Sequence, residues 1–229
     1  MLVGPTFQYY QAKDANGKNV ESPYNGKPIV NANGAYLTNE NQPLGSILPK
    51  FTGGLGSTFV YKNFDFTFSI DYQVGGKFLS LTKMFLLGTG LDPSTVGTND
   101  KGNDWRLPVA QGGGIKPDGV LADGTPFNGY VEARTYYWTY LFNKVAPPFI
   151  YDASYVKLRE LRLGYTFAAK PWTKRLGINS LNVALYAQNP WLIYTGLKGI
   201  DTSELESFWE ERGQVPATRT IGFNLKLVL

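Results

Sequence analysis

Residues 151–167 read "YDASYVKLRELRLGYTF", and from Glu160 onward their two faces separate cleanly. Leu161, Leu163, Tyr165 and Phe167 point one way; Glu160, Arg162, Gly164 and Thr166 point the other, the period of a β-strand. Nearer the start of the stretch, Lys157 and Arg159 share the parity of the apolar set. The fold therefore turns on which solvent meets each face.

The same alternation recurs elsewhere. In "NFDFTFSIDYQVGG" (63–76), Phe64, Phe66, Phe68, Ile70, Tyr72 and Val74 alternate with Asp65, Thr67, Ser69, Asp71 and Gln73. The preceding "FTGGLGSTFVY" (51–61) sets Leu55, Phe59 and Tyr61 on one face, and Lys62-Asn63 makes a tight connection. In 181–194, Leu181, Val183, Leu185 and Ala187 oppose Asn182, Ala184, Tyr186 and Gln188. The final segment opposes Ile221, Phe223, Leu225, Leu227 and Leu229 to Thr220, Gly222, Asn224 and Lys226.

Composition agrees with a β-rich chain. Its 229 residues suffice for a sizeable core, and 15 Tyr, 14 Phe and 5 Trp against 2 Met, with 26 Gly, favour strands and turns. A net charge of +4 without a basic block gives no support for nucleic-acid binding. There is no cysteine and no histidine. That removes disulfides, thiolate nucleophiles, the commonest general base and the commonest metal ligand. The N-terminal "MLVGPTFQYY" lacks the features of a signal peptide, and no window reaches the apolar length of a transmembrane helix.

Connection lengths carry a second signal. A tight turn near 62 precedes a long loop over 75–153, then a shorter link over 168–180 and another long loop over 195–217. A loop as long as the first is unusual inside a compact soluble domain. Short turns alternating with long external loops are usual in transmembrane barrels. Strands of about eleven residues, rising about 3.3 Å each and tilted about 45°, span roughly 25 Å, the height of a barrel's apolar band. A soluble antiparallel sandwich shares the alternation, so pattern alone leaves both architectures open.

Four segments, "LPKFTGGLGSTFVYKNFDFTFSIDYQVGGKF" (48–78), "DGVLADGTPFNG" (118–129), "PPFIYDASYVKLRELRLGYTF" (147–167) and "LNVALYAQNPWLIYTGLKGID" (181–201), resemble in order the C-terminal barrel region of the SusC/RagA family of TonB-linked outer-membrane transporters. The resemblance covers most of 45–229. It implies an all-β fold, an antiparallel transmembrane β-barrel of about 22 strands with long extracellular loops, incomplete in this chain. It also implies a Gram-negative outer-membrane location, a SusD-like surface lipoprotein as lid, and a TonB complex acting through an N-terminal region that this sequence lacks. The solute would be an oligosaccharide or a peptide. The final Leu229 departs from the aromatic ending of many such barrels, and Pro190 stands where an apolar residue is commoner.

The expected organisation is a C-terminal part of the barrel with about five strands, unable to form the pore alone. Residues 1–50 form an extracellular hairpin or loop region with Asn16-Gly17 in a turn. A strand pair over 51–74, an extracellular loop over 75–153 and the last three strands over 154–229 follow. Phe64, Phe66, Phe68, Ile70, Leu161, Leu163, Tyr165, Phe167, Ile221, Phe223, Leu225 and Leu227 are expected to face outer-membrane lipid, with Lys157 and Arg159 snorkelling from the same side at the rim. Trp191 and Tyr194 suit the upper aromatic girdle, and Tyr61, Phe64 and Phe167 the lower one.

The chemistry-bearing motifs are sparse. "QGGGIKPDG" (111–119) has no strand-to-helix context and reads as a loop rather than a phosphate cradle. Asn99, Asp100, Asn103 and Asp104 offer hard oxygens for calcium, but not at EF-hand spacing, so no metal or cofactor is expected. "DTSELESFWEERG" (201–213) pairs Ser203 with Glu206 as a capping box and suggests a short helix. Its glutamates read as a solvated face rather than a glycosidase pair, so no enzyme is expected. Trp105, Arg134, Tyr136, Tyr137, Trp138, Trp209, Glu210 and Arg212 are the candidate ligand- or partner-contact residues, against the plainer reading of loop packing. The alternative function is a soluble β-sandwich carbohydrate-binding module.

Overall fold

A computed structural model describes residues 1–175 and 177–228. The chain divides into two compact units: one holds 1–46, 79–150 and 209–213, the other 47–78, 151–208 and the remainder to the C-terminus. In the first unit, β1 (Leu2–Phe7) pairs antiparallel with β2 (Thr38–Gly45). Between them, Asn16 and Gly17 sit in a turn closed from Gly17 N to Asp14 O, with Gly17 at a φ of 78°.

The second unit is built on long strands: β3 (Pro49–Tyr61) and β4 (Phe64–Gly75), followed later by β7 (Tyr155–Ala168), β8 (Ser180–Thr195) and β10 (Thr220–Val228). The intervening short strands are β5 (Lys77–Ser80), β6 (Ile150–Asp152) and β9 (Glu210–Glu211). The five long strands form one antiparallel sheet in the order β10-β8-β7-β4-β3, each beside the next long strand in the chain. Lys62, at a φ of 54°, and Asn63 link β3 to β4 as expected. The sheet is open, with β3 and β10 at its two ends.

Register fixes the faces. Phe59 pairs with Phe66, Phe66 with Leu163, Leu163 with Leu185 and Leu185 with Phe223, giving one apolar row across all five strands. Phe64, Tyr165, Val183 and Leu225 form the next row, and Phe68, Leu161, Ala187 and Ile221 another. This face lies open: Leu163 is 51% exposed and Phe223 70%. Within this unit, among the described residues, no second sheet covers those rows, as a sandwich would require. Leu229 lies outside the described residues.

The parity of β7 reverses at Arg159, correcting the expectation for its first half. Ser69 pairs with Glu160 but Ile70 with Leu158, so Arg159 is the extra residue of a β-bulge. Lys157 then pairs with Asp71 and shares the polar face. It is 2% exposed and does not snorkel from the apolar side. Leu158, beside Ile70 and Trp191, takes the apolar position instead.

The segments leaving the β4/β7/β8 end of the sheet are also more ordered than loops. Within 75–153, α1 (Leu81–Gly88) starts at Ser80, whose hydroxyl accepts from Lys83 N at 3.2 Å. A π-helix covers Thr135–Phe142. In 201–213 the capping box does not form. Asp201 caps a single 3-10 turn over Thr202–Glu204, accepting from Ser203 N. Glu210 and Glu211 form β9, parallel to Leu79 and Ser80, and are buried, contrary to the solvated face expected of them. The Glu211 carboxylate accepts from Ser80 Oγ at 2.7 Å, Thr82 Oγ1 at 2.5 Å and the Gly213 amide, so its burial is compensated.

Candidate functional site

The polar face of the five-stranded sheet carries two side-chain networks. At one, Arg162 of β7 donates to Asp65 of β4 and, through Nη2 at 2.9 Å, to Asn182 Oδ1 of β8. Asn182 Nδ2 donates to Asp65 Oδ1 at 3.1 Å and Thr166 Oγ1 at 2.9 Å. Beside them the hydroxyls of Thr58 and Thr67 lie 2.9 Å apart. Gly164 makes room for this cluster, since a Cβ there would lie 2.7 Å from Asp65 Cγ.

The second network sits where the bulge turns Lys157 inward. Lys157 Nζ donates to Asp201 Oδ2 at 2.7 Å, Ser203 Oγ at 2.9 Å and Glu204 Oε1 at 3.0 Å, satisfying all three ammonium protons. Arg159 donates from Nε to Asp71 Oδ2 at 2.8 Å and from Nη1 to Glu204 Oε1 at 2.5 Å and Asn189 Oδ1 at 3.3 Å. Two strand cations thus clip the 201–204 turn onto the polar face. Burial pushes the Asp201 and Glu204 carboxyls up, but the hydrogen bonds and charges of Lys157, Arg159 and Ser203 outweigh it and hold both below the usual carboxylate range. A cavity of about 510 Å³ opens beside the clip, lined by Lys157, Asn189, Leu192, Asp201 and Arg219 among others.

The sequence does mark the bulge, as charged Lys157 and Arg159 at the apolar parity, but snorkelling at the rim accounts for the same signal, and the capping box expected at Ser203 points away from Asp201. Among the expected contact residues, Tyr136, Tyr137 and Trp138 all sit on the π-helix and make packing contacts, with Trp138 still 36% exposed. Tyr136 Oη lies 3.1 Å from Tyr36 Oη, and Tyr137 donates to Ser94 O at 3.2 Å. Burial pushes the Tyr137 hydroxyl up to about 12. Trp138 stacks on Phe142, with centroids 4.6 Å apart, and covers Gly88, where a Cβ would lie 2.9 Å from its ring.

Arg134 is exposed and lines a cavity of about 350 Å³ with Arg106, Glu132 and Tyr137. Trp209 is partly exposed, accepts from Leu79 N through its carbonyl at 2.9 Å, and lines an apolar cavity with Leu44, Met84 and Phe142. Glu210 is buried and pairs with Arg212. Trp105 rests its ring on Gly97 and lines a separate cleft.

In the 98–104 loop, three of the four residues weighed for calcium have a side-chain oxygen engaged internally. Asn99 Oδ1 accepts from the amides of Lys101 and Asn103, Asp104 from that of Arg106, and Asp100 from the Tyr130 hydroxyl.

No family model matches the chain. Among curated proteins, the TonB-dependent receptor P3 of Formosa agariphila is 27% identical over 172 residues, covering 75% of this chain and 14% of that receptor. Among solved structures, the RagAB peptide importer in its closed-closed state matches with a TM-score of 0.55 at 16% identity, covering 98% of this chain and 22% of that one. Its open-open state gives 0.56 at 14% identity over the same shares. The RagAB peptide transporter gives 0.53 at 15% identity over 97% and 22%. The chain thus spans a small part of each relative. The chain is therefore similar in sequence to a TonB-dependent receptor and in fold to RagAB, and it is β-rich with few helices.

Proposed function

We propose that this chain is a section of the wall of a TonB-linked outer-membrane importer. The observation that carries this reading is the open apolar face of the sheet. Five adjacent strands expose aligned rows of Phe, Leu, Ile and Val while their other face is bonded into charged and amide networks. Water penalises the first face and lipid does not, whereas the second suits a hydrated lumen. On this reading Phe64, Phe66, Phe68, Ile70, Leu161, Leu163, Tyr165, Phe167, Ile221, Phe223, Leu225 and Leu227 meet lipid.

The tight turn at Lys62-Asn63 and the 169–179 link leave one end of the sheet, and the long segments leave the other. That rhythm makes the long segments extracellular. There they would meet a SusD-like lipoprotein lid and an oligosaccharide or peptide solute, with TonB acting through a region outside this chain. Trp105, Arg134 and Trp209 retain exposure or cavity-lining surface for such contacts. The test is fractionation of the native protein. The reading expects it in the outer membrane, resistant to carbonate wash and released by detergent. Recovery as a water-soluble monomer overturns it.

A further inference from the structure

Four Asn-Gly pairs occur in the first unit: Asn16-Gly17, Asn25-Gly26, Asn33-Gly34 and Asn128-Gly129. Each can undergo spontaneous succinimide chemistry, in which the glycine backbone nitrogen attacks the side-chain carbonyl carbon of Asn. Glycine favours this step because it has no Cβ to obstruct the approach or restrict its peptide. The sequence ranks the four pairs alike, since the same residue follows each Asn. The fold separates them.

In three pairs a hydrogen bond holds the attacking nitrogen. Gly17 N donates to Asp14 O, Gly26 N to Tyr10 O and Gly34 N to Asn31 O, each at 2.9 Å. Asn25 is held twice more: its Oδ1 accepts from Ala12 N at 2.8 Å and its Nδ2 donates to Val20 O at 2.8 Å. Attack requires the N–H to lose its proton and the peptide to rotate, so these bonds must break first. At the fourth pair, neither Gly129 N nor the Asn128 side chain has a hydrogen-bond partner among the described residues. Asn128 is also exposed. Phe127 N donates to Gly119 O at 3.0 Å and Val131 N to Ile115 O at 2.8 Å, so the chain is pinned on both sides of the pair. The step between them is left free to turn.

We infer that Asn128 is a site of spontaneous deamidation, with water as its only co-reactant. Gly129 N forms a bond to Asn128 Cγ, its proton passes to solvent, and the side-chain nitrogen leaves as ammonia. Water then opens the five-membered imide at either carbonyl. One product is aspartate; the other is isoaspartate, with the main chain routed through the former side chain. No atom is oxidised or reduced. Asn128 lines a cleft of about 520 Å³ with Trp105 and Phe127. Its rim charges are balanced as two pairs, Lys27 with Asp118 and Lys116 with Asp100. The reaction therefore adds one uncompensated negative charge to that cleft. The inference needs only the fold of the first unit and stands apart from the import reading.

The test incubates the detergent-purified protein in mildly alkaline buffer made with water enriched in heavy oxygen, and follows the peptides holding all four Asn residues by mass spectrometry. Opening of the imide incorporates one solvent oxygen, so the label marks each event, and fragmentation separates isoaspartate from aspartate. In the folded protein Asn128 should react at least tenfold faster than Asn16, Asn25 or Asn33, and in urea the four rates should converge. Asn128→Gln should abolish the label in its peptide while keeping the heat-modifiable gel shift of the folded protein. Equal rates in the folded protein, earlier reaction at another of the four, or a lead of Asn128 that persists in urea overturns the inference.

Discussion

Lys157 Nζ lies 2.7 Å from Asp201 Oδ2, joining a strand residue that is 2% exposed to the cap of the 3-10 turn. The pair exists because a single bulged residue, Arg159, rotates Lys157 from the apolar to the polar face. Removing one partner leaves the other charge buried without its counter-ion, which typically costs about 3–5 kcal/mol. Lys157→Met should therefore lower the unfolding midpoint of the membrane-extracted protein more than Lys50→Met at an exposed site. Equal midpoints would remove the clip's energetic role.

The same clip should be sensitive to acid. Asp201 and Glu204 are both held below the usual carboxylate range. Their contribution is therefore fully present above the unfolded carboxylate values of about 4 and is lost as pH falls through the lower folded values. Hydrogen exchange in 196–205, corrected for intrinsic rate, should accelerate below about pH 4 relative to 81–88. Parallel behaviour of the two segments would contradict this.

On the apolar face, Leu163→Arg and Phe66→Arg should each destabilise the membrane-embedded protein by about 2–4 kcal/mol if they lie near the bilayer midplane. Asn224→Arg, on the polar face, should cost much less. Denaturant titration in lipid vesicles measures all three.

Two tyrosines lie across facing glycines. Gly222 pairs with Tyr186, and a Cβ at Gly222 would stand 2.8 Å from Tyr186 Cζ. Gly53 stands in the same relation to Tyr72, at 2.6 Å from its hydroxyl. Gly222→Val should cost about 1–3 kcal/mol through overpacking, visible as a lower thermal midpoint. An unchanged midpoint would show that Tyr186 moves aside freely.

The sheet's ends, β3 and β10, each keep one edge unpaired among the described residues. Expressed by itself in plain buffer, the chain should associate through those edges and its apolar face rather than unfold cooperatively as a monomer. Sedimentation with far-UV denaturation checks this, and a cooperative monomer would contradict it.

The strands were legible wherever alternation ran unbroken: Phe64–Val74, Glu160–Phe167 and the run from Ile221 each took the faces their parity predicts. Legibility stopped at Arg159: the charges of Lys157 and Arg159 at the apolar parity mark a break, but only the pairing with β4 shows it to be a bulge rather than snorkelling side chains. The Glu-rich 201–213 segment misled for a related reason. Glu211 is buried by partners at Ser80 and Thr82, more than a hundred residues away. The aromatics of 135–142 were visible as a cluster, but their ring contacts with Tyr36 and Gly88 depend on tertiary packing that no local pattern records.

The central claim is that one face of the sheet meets lipid and the other water. The chain has no cysteine, so single cysteines can be placed at Phe66, Leu163, Leu185 and Phe223 on one face and at Thr67, Ser69 and Asn224 on the other. Spin-labelled in outer-membrane vesicles, the first group should collide with oxygen dissolved in the bilayer and be shielded from a water-soluble nickel chelate. The second should show the reverse. Shielding of both groups from both reagents, or access of the chelate to Leu163 and Phe223, would contradict the account.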